Sequence, residues 1–396
     1  MAATSSNLVK INFIKEAVLK TTPGAGNFRS PRFTSESFSG TPLTVISELI
    51  RDDRLSSGQV LTGVNVEGTL ETELSAEEAI HDLVAGAMFN DWVVSQEKTV
   101  NMALNAAAGT LTRAAGSFIT EGFKVGDVVK LSGYANALNN VTVVVVKVTA
   151  TIITFFGRPF MVTQAGSAQT KIKRMDNVTI GTDLKSFSFE RIHTDLNEKG
   201  INYRGVCINR MMWDINWGEL IKSSFEFMGA EQQSYDDDAN SMSQARTVED
   251  QGTEQVLNGS VDLILGVDLG NGFTANELEI EKMSMTLNNN LNPKNIIGAI
   301  SPEDFSGGTA QVEISITAHI NNDNWDVIEK KLTQDPISIC GITSNDDGGY
   351  GLYMPAVQLT FPDPHSVGQN ENLMLEMTGV AKVGDDGGSS LILSKF

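Results

Sequence analysis

One order of elements, strand, strand, helix, strand and paired strands, can be read twice along this chain. In the first reading a basic stretch separates the helix from the strand that should follow it. Val64, Val66, Leu70 and Leu74 alternate with Asn65, Glu67, Glu71 and Glu73, the two-residue period of a strand with one buried face. Ser75 followed by Glu78 has the form of a capping box, and Ile80, Leu83, Val84, Ala87 and Met88 mark the apolar side of a helix. In the second reading Val312, Ile314, Ile316, Ala318 and Ile320 alternate with Glu313, Ser315, Thr317 and His319. A second helix follows, with Asn322 or Asp323 as its cap and Trp325, Ile328 and Leu332 on one face. Lys330 and Lys331 stand near its C-terminus, where cations favour the helix dipole.

After the second helix the next strand starts near Pro336-Ile337-Ser338-Ile339, whereas after the first helix its counterpart appears only at Lys185-Ser186-Phe187-Ser188-Phe189. The stretch between reads as an insertion with its own charge. From Lys98 to Arg174 nine Lys or Arg meet two acids, Glu121 and Asp127, a balance of +7; the remainder holds 20 basic and 47 acidic residues, or −27. So sharp a break predicts a separate module. Within it, alternation around Phe123 to Leu131, the run Val141 to Val148 and Thr151 to Phe156 predict a small β-barrel or sandwich. The expected division is a first module over 1–95, an inserted β-domain over 96–178, the rest of the first module over 179–230, an acidic linker or projecting loop over 231–260, and a second module over 261–396.

A chain of 396 residues is long enough for two or three cores. Its 36 glycines and frequent alternation favour many short strands joined by turns over helix bundles. Val9 to Ala17 and Phe33 to Phe38 read as strands and Leu43 to Gly58 as irregular. No run approaches the roughly 20 apolar residues of a membrane helix. The opening Met1-Ala2-Ala3-Thr4-Ser5-Ser6 lacks the basic-then-apolar order of a signal peptide, so the chain is expected to stay in the cytosol that makes it. Cys207 and Cys340, distant in sequence and inside apparent strands, read as buried free thiols. A net charge of −20 disfavours phosphate binding, which does not exclude a protein past which DNA must slide without sticking and fits equally an acidic surface kept for solubility.

Catalytic patterns are missing. His81, His193, His319 and His365 share no metal-ligand spacing. Asp236, Asp238 and Asn240 begin like a calcium loop, but Ser241 stands where the turn needs glycine and Thr247 where a bidentate Glu belongs. Gly270-Asn271-Gly272 and Gly348-Gly349-Tyr350-Gly351 read as turns, not phosphate cradles. Neither an enzyme nor a cofactor is expected.

Several segments resemble the tail tube (major tail) proteins of long-tailed bacteriophages. They are Ala17 to Phe33 with Thr21-Thr22-Pro23-Gly24; Arg32-Phe33-Thr34-Ser35-Glu36-Ser37; Ile50-Arg51-Asp52-Asp53-Arg54 running through Gly63 to Val66-Glu67-Gly68-Thr69-Leu70-Glu71; and Met285-Thr286-Leu287-Asn288-Asn289-Asn290-Leu291. Gly122-Phe123-Lys124-Val125-Gly126-Asp127-Val128-Val129 resembles small β-domains that phages add to virion surface proteins. The resemblance implies a mainly β fold with a minor α component: two tandem tail-tube β-sandwich or barrel modules, each with a flanking helix, plus the inserted small β-domain. It further implies self-assembly into stacked rings around a DNA channel in the virion tail, built in the host cytoplasm. A tape measure protein, a tail terminator and baseplate or distal tail proteins are the implied partners. Six such folds surround the channel in that family, so two per chain implies homotrimeric, pseudo-hexameric rings, with homohexameric rings as the alternative. The expected channel lining is Glu67, Glu71 and Glu73 from the first copy and Glu277, Glu279 and Glu281 from the second. An acidic wall would hold the DNA backbone off over about 8 Å. The insert is expected to project outward, because in the bore it would grip phosphates. A competing reading is a decoration or adhesin protein that binds a cell-surface polymer through the basic insert.

Overall fold

The computed structural model describes residue 5 and residues 8–396, except 51, 54, 57, 157–159, 197–198, 237–239, 245, 250, 261–262, 270–272, 276–277, 323, 365–371 and 385–387. The fold is mainly β. It opens with β1 (Val9–Lys15), β2 (Ser35–Glu36), β3 (Ser39–Ile46), β4 (Gln59–Glu73) and helix α1 (Glu78–Ala87). Seven short strands follow: β5 (Gln96–Thr99), β6 (Met102–Asn105), β7 (Thr110–Arg113), β8 (Val128–Ser132), β9 (Thr142–Val148), β10 (Ile152–Phe156) and β11 (Lys171–Arg174). Next come β12 (Asp176–Thr179), β13 (Ser186–His193), β14 (Lys199–Asn216), β15 (Lys222–Gly229) and β16 (Glu231–Tyr235). The rest comprises β17 (Leu263–Asp268), β18 (Thr274–Ala275), β19 (Glu279–Asn288), β20 (Asn292–Lys294), β21 (Asp304–Ser306), β22 (Gln311–His319), α2 (Val327–Thr333), β23 (Ile337–Ser344), β24 (Gly349–Thr360), β25 (Met374–Lys382) and β26 (Ile392–Lys395).

Eight strands form one antiparallel succession, β3–β4–β15–β14–β19–β22–β25–β24. Behind it lies a second layer in two parts. In one, the first half of β14 pairs with β13 and β16, and β13 with β1. In the other, the first half of β24 pairs with β23 and β26, and β23 with β17. The pairings β1–β13, β13–β14, β14–β15, β15–β4 and β4–β3 recur in the same order as β17–β23, β23–β24, β24–β25, β25–β22 and β22–β19. The long strands β14 and β24 pass from one layer into the other.

Alternation decides which side of each strand is dry. Leu70, Phe225, Met211, Trp213, Met285, Leu287, Ile314, Ile316 and Met377 all face one continuous core between the layers. Each fully buried large apolar side chain contributes about 1.5–3 kcal/mol. At one end Phe13, Phe38, Phe189 and Phe227 pack together, stacked, tilted or edge-on, with ring centroids 4.9–5.1 Å apart.

Strands β5 to β11 make their own sheet, ordered β5-β11-β8-β9-β10-β7-β6, around Leu104, Leu111, Phe118, Val143 and Ile172. An apolar patch on its outside, Val128, Val144, Phe156 and Met175, packs on Cys340, Ile342 and Tyr353. The neighbours Ile339, Leu352 and Met354 point the opposite way, into the main core, so this sheet sits on the side of the sandwich away from the eight-strand succession. Two glycines let it approach. A Cβ on Gly351 would lie 2.2 Å from a Val128 methyl, and one on Gly266 2.7 Å from the Phe156 ring.

Some local expectations are corrected. Ser75 and Glu78 form no capping box: α1 begins at Glu78, Glu77 precedes it with no side-chain cap bond, and Glu77 is ion-paired with Arg32. The Ser75 carbonyl instead accepts the Tyr350 hydroxyl at 3.1 Å. α2 starts after Asp326, again with no side-chain cap bond. Asn321 and Asn324 exchange side-chain to backbone bonds of 3.1 and 2.9 Å just upstream, and Asp323 lies outside the described residues. The stretch from Leu43 is not irregular at its start, because β3 runs on to Ile46. Between Phe33 and Phe38 only Ser35–Glu36 pairs as a strand.

Candidate functional site

Side chains paired across an antiparallel ladder leave the sheet on the same side. Opposite the core, the eight-strand succession therefore presents one polar surface, with Glu67, Thr69, Glu71 and Glu73 on β4 and Lys222, Ser224 and Glu226 on β15. It continues through Arg210 and Asp214 on β14, Lys282, Ser284 and Thr286 on β19, Glu313 and Ser315 on β22, and Glu376, Thr378 and Lys382 on β25. None of these residues is buried. Charges on it are partly paired: Arg210 reaches Glu226 at 3.1 Å, Asn65 donates to Glu67 at 3.0 Å, and Ser35 donates to Glu71 at 2.9 Å. Over β19, β22, β25 and β24 the surface forms an open concavity of about 290 Å³ lined by Ser284, Thr286, Glu313, Ser315, Thr360 and Thr378.

Among the expected lining residues, Glu67, Glu71 and Glu73 stand together on this surface. Glu279 and Glu281 lie three strands away, about 14 Å, at the start of β19, where Asn321 donates to Glu279 at 3.1 Å and His319 stands 3.4 Å from Glu281. Glu277 lies outside the described residues. Sequence reading did not select Asp214, Glu226, Glu313 or Glu376, nor the bases Arg210, Lys222, Lys282 and Lys382 that dilute the acidity. The available signal was alternation: Glu226 stands between Phe225 and Phe227, both buried.

The two ends of the succession are alike in one respect. Inside the chain, β14 loses its neighbour β13 and gains β19, with Arg210 opposite Asn288. β24 loses β23 at the pair Ile337–Val357, and no strand takes its place among the described residues. At the other end, β3 pairs with β4 alone among the described residues. Beyond these edges the β3–β4 hairpin exposes Val45, Ile46, Leu49, Ile50, Leu55 and Val60, and the β19–β22 connection exposes Ile296, Ile297 and Ile300. The two loops meet where the Val64 amide donates to the Ile300 carbonyl at 2.8 Å.

The buried ionisable groups are occupied structurally. Glu190 accepts from the hydroxyls of Tyr235 and Ser241, both at 2.7 Å, and from the amides of Met242 and Ser243 at 2.9 and 3.1 Å, holding the acidic connector against β13. His81 in α1 lies 3.5 Å from Glu78 and 3.4 Å from Lys395. Its hydrogen bond, reinforced by Lys395, holds the Glu78 carboxyl down at about 2 against the effect of burial. Burial lowers the imidazole pKa below its ordinary value, against the pull of Glu78. Burial also pushes the thiols of Cys207 and Cys340 up, and both are free. Among the described residues no group of three or more His, Cys, Asp or Glu is placed to hold a metal ion, and no helix is long and apolar enough to cross a membrane.

A family model described as phage tail tube protein matches residues 6–381. No curated protein gives a significant match.

Proposed function

The chain belongs to the phage tail tube protein family, a structural component of the virion tail that self-assembles into the tube, and from that premise we propose how its rings close. Two copies of one unit, with strands β3, β4, β15, β14 and β19, β22, β25, β24, lie side by side in each chain. The inserted sheet is a third unit on the outer surface. The observation that carries the reading is the internal seam between β14 and β19. Repeating that seam between chains joins the open edge of β24 to β2 and β3 of the next chain, pairing the exposed strand edges in an ordered interface. Three chains would set about 24 strands around the bore, a circle about 37 Å across at about 4.8 Å per strand before tilt and side chains, which admits a DNA duplex. Six chains would make it about 73 Å. The trimer fits its cargo better.

The polar surface then faces the bore, with Glu67, Glu71, Glu73, Glu279 and Glu281 on it, and repels the DNA backbone, while the basic insert stays outside. The exposed apolar hairpin tips reach the neighbouring ring. Tape measure, terminator and distal tail proteins would meet the ends of the stack, and assembly would take place in the host cytoplasm.

In the seam Arg210 faces Asn288; the corresponding positions on the open edges are Thr360 and Thr41. A Thr41→Cys, Thr360→Cys double variant, oxidised after assembly, should give covalent species up to the trimer and no larger. A ladder continuing to six refutes the stoichiometry, and the absence of cross-links refutes the seam. Cryo-microscopy of tubes carrying Glu71→Lys and Glu73→Lys tests the lining: those positions outside the channel would refute it.

A further inference from the structure

We propose that the outward face of α2 is a docking site for the next chain of the ring, covered by the end of that chain's first sandwich that carries Leu8, Val9, Leu196 and Ile201. The inference rests on the ring reading above and extends it from strand edges to the helix.

α1 and α2 hold the same place in the chain order, one after β4 and the other after β22, yet their surroundings differ. In α1 every residue from Ala79 to Ala87 except Asp82 is buried. Its main packing partner is β14, and part of its remaining cover comes from the second half of the chain. Asn289 donates to the Ala87 carbonyl at 2.9 Å, Lys395 stands 3.6 Å from Glu78, and the Tyr350 ring lies edge-on to His81 at 5.4 Å. In α2 only Val327 is buried. Ile328 and Leu332, four positions apart, share a side of α2, and Trp325, which the sequence predicts on the same face, stands in the turn just before the helix. Ile328 packs partly on the core, but Trp325 is 51% and Leu332 83% exposed. An apolar stripe that local sequence builds and the single chain leaves open marks an interface still to be made.

The seam identifies the occupant. The second-half residues that touch α1 come from the turn after β19, the start of β24 and the end of β26. They are carried there by the same β14–β19 junction that binds the two halves. Where the junction is repeated between chains, the equivalent parts of the next chain descend on α2: the turn region of β3, the start of β14 and the end of β16. Ile201 at the start of β14 and Val9 at the start of β1 are only partly buried, and Leu8 and Leu196 are 47% and 40% exposed. An apolar rim thus faces an apolar stripe, and closing the strand seam brings them together without further rearrangement.

Hydrogen exchange on wild-type monomers and tubes should show the amides of Val327–Thr333 becoming protected on assembly. Leu332→Asp, at an exposed position, should keep the wild-type circular dichroism and urea midpoint while raising the protein concentration needed for assembly about tenfold or more. Leu196→Asp, on the opposite side of the contact, should do the same. Unchanged exchange in α2, or assembly of Leu332→Asp at the wild-type concentration, overturns the inference even if the edge cysteines cross-link. Wild-type protein that forms no rings would instead defeat the ring reading.

Discussion

Replacing Tyr350 by phenylalanine removes one oxygen from the contact between the two halves of the chain. Tyr350 belongs to β24, is 1% exposed, and its hydroxyl donates to the carbonyl of Ser75, itself 1% exposed, at 3.1 Å. Losing that bond in a dry setting should cost about 1–2 kcal/mol. Tyr350→Ala also removes a ring that stands edge-on to Trp213 at 5.3 Å and His81 at 5.4 Å. Such contacts contribute about 0.5–1.5 kcal/mol each, so with the cavity the total should reach about 3–5 kcal/mol. Urea unfolding followed by far-ultraviolet circular dichroism gives the two losses, and the tyrosine-to-phenylalanine step separates hydroxyl from ring. Because the ring bridges α1 and β24, Tyr350→Ala should also split the transition into two and lower the yield of tubes. A loss below about 1 kcal/mol for Tyr350→Ala, or equal losses for the two variants, would refute the assignment of this side chain as the clasp between the halves.

Two further outcomes concern the β5–β11 sheet. Asp127 lies at its junction with the body, where burial pushes the carboxyl up to about 6 despite the Lys124 amide and the charges of Arg174 and Lys124. Its folded value exceeds the unfolded one of about 3.9, so the stability it contributes is complete below pH ~4 and is lost as pH rises through about 6, a change of about 2–3 kcal/mol. Asp127→Asn should remove that dependence: the wild-type minus variant difference in urea midpoint should shift between pH 4 and 7.5, and a constant difference refutes the assignment. Gly351→Ala would place a methyl 2.2 Å from Val128, and forced overpacking of this kind costs about 1–3 kcal/mol. Limited proteolysis should then cut the β5–β11 sheet faster than in wild type, and an unchanged rate would show that the sheet does not seat on β24.

Most strands of the main sandwich are legible in the sequence because each carries its own alternation. Val312 to Ala318 and the buried set Val66, Leu70 and Leu74 need no knowledge of their neighbours. Helix starts were less legible. Ser75 and Glu78 have the right spacing for a capping box, but the Ser75 carbonyl is engaged by Tyr350 and the neighbouring Glu77 by Arg32, contacts supplied from elsewhere in the chain. The expected lining glutamates were chosen from local alternation, which marks a wet face without saying which wet faces adjoin. Register then shows Glu67, Glu71 and Glu73 sharing a surface with Glu226 and Glu313, and also with Arg210 and Lys282.

By itself the sequence determines periodicity, the amphipathic stripe at Trp325, Ile328 and Leu332, and the break between a basic stretch and an acidic remainder. These are properties of residues a few positions apart. The tertiary structure alone decides that β14 passes from β13 to β19, that the β5–β11 sheet rests on Tyr353, and that α1 is covered while α2 is open. Those outcomes depend on contacts such as Tyr350 with Ser75, 275 residues apart, and a pairing at that distance is selected by the shape and burial of the assembled fold, which no local pattern encodes.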